Sequence, residues 1–174
     1  YPGKTLQQIV GIESKLYHVD SALFKSPEEI RKIIDLEPEE YAMVMQLKYK
    51  GRTTFLRMTF IDALWPDEQN VNAALKRLLQ AHIPKVYFVT GELERNIYKK
   101  GEREFFVHTI NKRKLSTLIN NGFDVDTLNL SVQDIPADAS IVVIADPKTN
   151  LNPAVLNKLH TYVNNGGNML VYLE

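Results

Sequence analysis

Apolar and polar positions alternate in the first half of the chain, whereas in the second half the apolar ones run together. Tyr41, Met43, Met45, Leu47 and Tyr49 occupy every second position, and so do Thr54, Leu56, Met58 and Phe60. A period of two marks a strand with one wet face. Gly51 between the two runs supplies the positive φ of a tight turn, so a β-hairpin is expected over 41–60. Ahead of it, Ser26-Pro27-Glu28-Glu29 reads as the N-cap, first-turn proline and capping-box glutamate of a short helix with Ile30, Ile33 and Ile34 on one face. Behind Trp65-Pro66-Asp67, the residues Val71, Ala74, Leu75, Leu78 and Leu79 recur at helical spacing and predict a helix of about four turns. Pro84 ends that helix, because proline disfavours helical geometry in the residue before it.

From Lys85 onward, buried-strand patterns alternate with helices. Val86-Tyr87-Phe88-Val89 and Ile141-Val142-Val143-Ile144-Ala145 are too uniformly apolar to have a wet face. Between them the pattern predicts a helix over 105–121, ended by Asn121-Gly122 as a left-handed cap, and a strand over 123–130. Pro153 opens a further helix with Val155, Leu156, Leu159, Tyr162 and Val163 on one face, Gly166-Gly167 stops it, and 169–173 is the last strand. The order β-α-β-β-α-β implies a parallel α/β sheet. We therefore expect an α+β region at 1–82, containing the hairpin, followed by a parallel α/β domain at 83–174. Because Glu174 follows directly on a strand pattern, the segment reads as cut from a longer chain, with its last strand near a sheet edge.

Composition narrows the function. Lys plus Arg and Asp plus Glu are 21 each, and both halves are separately neutral, so the chain lacks the basic field of a nucleic-acid binder. It contains no cysteine, which excludes disulfides, thiolate nucleophiles and iron–sulfur ligation. No apolar run approaches the ~20 residues that span a bilayer.

The candidate chemistry lies behind the two most apolar strands, since open α/β sheets bind ligands at the carboxyl ends of strands where the strand order reverses. In a flavodoxin-like order 2-1-3-4, Thr90-Gly91-Glu92-Leu93-Glu94-Arg95 would face Asp146-Pro147-Lys148-Thr149 across that switch point. The crevice would then hold Thr90, Gly91, Glu92, Glu94, Arg95, Asp146, Lys148 and Thr149. Its carboxylates have two readings: acid–base or ligand-binding groups of a hydrolase or of a small-ligand or glycan sensor, or ion-pair partners of Arg95 and Lys148. A lone Gly91 is not the three-glycine dinucleotide fingerprint, so no cofactor is expected. His18, His82, His108 and His160 lack metal-ligand spacing, and there is no nucleophile elbow. These absences describe a chain without catalytic machinery.

The stretches Pro84–Gly91, Gly122–Leu128, Ile144–Thr149 and Tyr162–Leu170 together resemble the extracytoplasmic domain of gliding-motility-type (Gld) ABC transporter auxiliary proteins. The hairpin at Leu47–Gly51 and the helix around Asn72–Leu75 are similar to that family's preceding region, so the likeness covers about residues 41–174. The resemblance implies a domain with a glutamine-amidotransferase-like or intraflagellar-transport-like fold on the periplasmic face of the inner membrane. It also implies a tether of transmembrane segments outside this chain, and permease and ATPase subunits of an ABC-2 type system as partners. The family loop reads Thr-Gly-His-Gly-Glu; here Glu92 and Leu93 replace its histidine and second glycine, while Glu94 keeps the acidic end.

Overall fold

The structure, a computed structural model, describes residues 1–58, 65–80 and 82–174. It divides into two compact units, Tyr1–Tyr41 and Ala42–Glu174. The boundary expected at 82/83 thus lies inside the second unit, and the Phe60 end of the expected hairpin lies outside the described residues.

The first unit carries α1 (Leu6–Tyr17) and α2 (Pro27–Ile33), with short 3-10 turns at Ser21–Leu23 and Glu37–Glu39. Both helices start on capping boxes. Ser26 and Glu29 exchange bonds at α2, as the sequence predicts, and Thr5 and Gln8 do the same at α1, which the apolar pattern had not singled out. Each box satisfies two of the backbone donors that a helix start leaves open. No apolar side chain of this unit is buried.

The second unit opens with the hairpin, β1 (Val44–Tyr49) antiparallel to β2 (Arg52–Arg57). Lys50 and Gly51 both have positive φ, the pairing that matches the twist of a two-residue hairpin loop. Helix α3 (Glu68–Leu79) is capped by Asp67, which accepts from the Asn70 N–H at 3.0 Å. Arg52 closes its other end by donating to the carbonyls of Gln80 (2.6 Å) and Leu78 (3.4 Å). The same helix is bolted to the α/β sheet through Arg77, whose guanidinium reaches Asp124 at 2.5 Å and the Phe123 carbonyl at 2.6 Å. Hairpin, α3 and sheet are therefore joined by directed bonds as well as by the buried Leu56, Ala74 and Leu78.

The remaining elements are β3 (Lys85–Val89), α4 (Phe106–Thr109), β4 (Asp124–Leu128), β5 (Ala139–Ala145), α5 (Pro153–Asn164) and β6 (Met169–Tyr172). The strands form one parallel sheet in the order β4-β3-β5-β6, which is the flavodoxin-like 2-1-3-4 arrangement. Its α5 face buries Tyr87, Val89, Val142, Ile144, Val155 and Leu159; the other face buries Val86, Phe88, Ile97, Val143 and Ala145. Side chains that alternate across the pleat into two dry layers explain the continuous apolar runs.

One expectation is corrected. The helix over 105–121 is only the single turn of α4, followed by loops and a 3-10 turn at Leu118–Asn121 that Gly122 closes at φ 80°. Competing side-chain bonds displace it: Asn120 donates to the carbonyls of Lys112 and Lys114, and Thr117 donates to those of Asn111 and Lys114. The β4–β5 crossover carries no helix, in keeping with the expected order β-α-β-β-α-β. Residues 129–138 pack Leu130 and Ile135 on the α5 face, and Lys158 of α5 holds the loop by donating to the Leu130 and Gln133 carbonyls, both at 2.9 Å.

Candidate functional site

The switch point lies between β3 and β5, and the loops that follow these strands are in contact. Gly91 leaves β3 at φ 134°, a conformation that other residues rarely adopt, and Thr90 still donates to the Leu128 carbonyl of β4. The Glu92 carbonyl accepts from the backbone N–H groups of Lys148 (2.9 Å) and Thr149 (3.3 Å), while its carboxylate accepts from the Thr149 hydroxyl at 2.5 Å. Glu94 folds back to accept from the Glu92 N–H at 2.8 Å. Arg95 donates its N–H to the Ala145 carbonyl at 2.8 Å. All the predicted crevice residues therefore gather in one place, and backbone bonds zip the two loops together.

Asp146 sits at the centre, with its side chain only 3% exposed. One carboxylate oxygen accepts from Lys148 Nζ at 2.7 Å, and the other accepts from Arg103 Nη1 at 2.7 Å with Arg95 Nε 3.6 Å away. The Lys148 ammonium, foremost, and then Arg103 hold its carboxyl below the usual carboxylate range, although burial pushes the other way. Arg103 uses Nη2 to bridge the carbonyls of Asp146 (2.8 Å) and Leu93 (2.7 Å). Arg95 lies over the Tyr172 ring, 5.7 Å from its centroid, and pairs with Glu174. Two buried atoms have no hydrogen-bond partner here, Glu94 Oε1 and Arg95 Nε.

Arg103 is the residue that sequence reasoning missed. It stands in Gly101-Glu102-Arg103-Glu104, where local spacing gives it no distinguishing mark. Only the path of the 90–105 strap brings it 43 residues along the chain to Asp146. Ile97, fully buried under the sheet, pins that strap. Leu93, Arg103 and Asp146 each take left-handed backbone angles, with φ of 59°, 55° and 54°. Three such residues sharing one bonded cluster show that tertiary contacts override local preference there. Among the described residues, no three His, Asp or Glu side chains come together in a way that could hold a metal ion. No helix among them is long and apolar enough to cross a membrane.

Fold and site together define a flavodoxin-like α/β domain whose switch point is filled by its own side chains. Residues 83–174 match the family described as an ABC-type uncharacterized transport system, and the chain belongs to that family of auxiliary transport components. It has an auxiliary role in an ABC transport system. No curated protein matches the chain, and no solved structure does.

Proposed function

We propose that this chain is a non-catalytic binding and assembly domain of an ABC-2 type transport system of the gliding-motility kind. It works on the extracytoplasmic, periplasmic side of the inner membrane, tethered by transmembrane segments outside this chain, against the permease and ATPase subunits of the complex. The observation that carries this reading is the occupancy of Asp146. A carboxylate used as acid, base or ligand anchor needs a free oxygen facing a cleft, whereas both oxygens of Asp146 are taken up by Lys148 and Arg103. The neighbouring Glu92 carboxylate is likewise spent on Thr149. The absence of cysteine from the sequence removes the nucleophile an amidotransferase-like fold would use.

A second reading, a small-ligand or glycan sensor, draws on one observation, the buried and unpartnered Glu94 Oε1. A small hydroxyl-bearing ligand would be its donor.

The test is co-isolation of the permease and ATPase with the full-length protein from membranes, alongside hydrolase and amidotransferase assays. The assembly reading expects both subunits in the isolate, turnover at background, and an unchanged result for Glu94→Gln. Turnover or sugar binding abolished by Glu94→Gln, or an isolate lacking both subunits, overturns it.

A further inference from the structure

Asn-Asn-Gly occurs twice in the chain, ending at Gly122 and at Gly166, and the two copies occupy almost the same backbone. Each closes a helical turn, Leu118–Asn121 or the end of α5, with its glycine left-handed at φ 80° or 87°. Each glycine N–H donates to a carbonyl of the turn before it, that of Leu118 or of Val163. Glycine suits this position because it takes positive φ without steric cost. The same lack of a side chain leaves its nitrogen unshielded, and that nitrogen can attack the side-chain amide carbon of the asparagine before it.

Surroundings separate the two copies. The Asn121 amide is fully engaged: Nδ2 donates to the carbonyls of Leu115 (3.2 Å) and Thr117 (2.7 Å), and Oδ1 accepts from Gln69 Nε2 at 2.6 Å. Gly122 behind it is buried, and a β-carbon added there would lie 2.9 Å from the Lys76 side chain. Asn165, in contrast, is exposed, and its amide has no partner among the described residues. Gly166 is exposed too, with nothing within 4 Å of the corresponding position. The backbone cost of freeing the glycine nitrogen is alike in both places, so the side chains decide.

We propose that Asn165 is a site of spontaneous deamidation and that Asn121 is protected by its bonds. The Gly166 nitrogen, giving its proton to hydroxide, bonds to Asn165 Cγ; the Cγ–Nδ2 bond breaks, and Nδ2 takes a proton from water and leaves as ammonia. The five-membered imide so formed adds water at either carbonyl. Opening at the side-chain carbonyl leaves aspartate, and opening at the main-chain carbonyl leaves isoaspartate. One water enters and one ammonia leaves, with no oxidation or reduction. Either product sets a carboxylate at the C-terminal end of α5, where the helix dipole disfavours negative charge. Isoaspartate also lengthens the main chain in the turn where Tyr162 packs on Gly167.

Peptide mapping by mass spectrometry, with isoaspartyl methyltransferase labelling, follows both sites at mildly alkaline pH in the folded protein and in urea. Folded protein should convert at Asn165 at least about tenfold faster than at Asn121, where three further hydrogen bonds must open. In urea the two rates should converge, because the local sequences are the same. Asn165→Gln, whose longer side chain would have to close a six-membered ring, should remove the signal from the folded protein. Gln69→Ala, which takes one bond from Asn121, should speed conversion there and leave Asn165 unchanged. Conversion at Asn121 as fast as at Asn165 in the folded protein, or none at Asn165 while the unfolded chain converts at both, overturns the proposal.

Discussion

Arg103 and Asp146, 43 residues apart in sequence, meet twice: Nη1 lies 2.7 Å from the carboxylate and Nη2 2.8 Å from the backbone carbonyl of the same residue. An arginine fork that grips both the side chain and the main chain of one residue fixes the turn behind β5 as well as its charge. Removing the carboxylate leaves three cationic groups around a vacated buried position, which costs more than losing an exposed pair. Asp146→Ala should therefore lower the melting temperature by several degrees. Arg77→Lys, which keeps a charge beside Asp124, should lower it less. Thermal unfolding followed by circular dichroism ranks the two.

The same carboxylate sets an acid limit. Its pKa is lowered in the folded state, so its contribution to stability is complete above the ordinary carboxylate range, near pH 4, and is lost as pH falls through the depressed folded value. Urea midpoints measured from pH 6 down to pH 2 should fall steeply in the acid range for the wild type. Asp146→Asn, lower throughout, should show a shallower acid slope.

A β-carbon added at Gly167 would lie 2.4 Å from the Tyr162 ring, which packs against the α5-side core and donates to the Asn168 carbonyl at 3.3 Å. The ring has to leave its seat to admit the methyl group. Gly167→Ala should cost about 1–3 kcal/mol, the usual penalty of overpacking. Gly166→Ala, with nothing within 4 Å but a φ of 87°, should cost about 1 kcal/mol from backbone strain alone. Chemical denaturation distinguishes the two.

Leu93 presents the opposite case. It is 67% exposed and holds a φ of 59°, so it has neither burial nor comfortable backbone geometry. Leu93→Gly should leave stability unchanged or raise it by up to about 1 kcal/mol. Its carbonyl, the part that Arg103 uses, survives the substitution.

Much of this architecture is legible in the residues themselves. Pro27, Asp67 and Pro153 mark helix starts, Gly51 marks the hairpin turn, and the unbroken runs at Val86 and Ile141 reveal strands dry on both faces. The facing loops at Glu92 and Asp146 follow from strand order, which sequence pattern can reach. What local pattern cannot reach is the partner supplied from elsewhere. Arg103 looks like any solvated arginine until the strap delivers it, and the helix expected over 105–121 dissolves because Asn111, Thr117 and Asn120 bond to backbone in their own neighbourhood. Helix α1 is a different case: its cap at Thr5–Gln8 and the helical spacing of Leu6, Ile9, Val10, Leu16 and Tyr17 are both present in the sequence, yet the expected elements omit it, and none of its residues is buried.

The strap that carries Arg103 has no regular secondary structure from Thr90 to Phe105 beyond a single bridge at Asn96 and Glu104, and in most proteins such a stretch opens locally and exchanges its amide hydrogens long before the core does. Here Ile97 is wholly inside the sheet layer, and the Arg95 N–H is bonded to Ala145 of a central strand. To free either group the strap would have to pull a side chain out of the core, so opening at this point is tied to opening of the sheet. The amide of Arg95 should accordingly exchange at a rate close to those of β3 and β5, which would make this irregular loop part of the last region of the molecule to unfold.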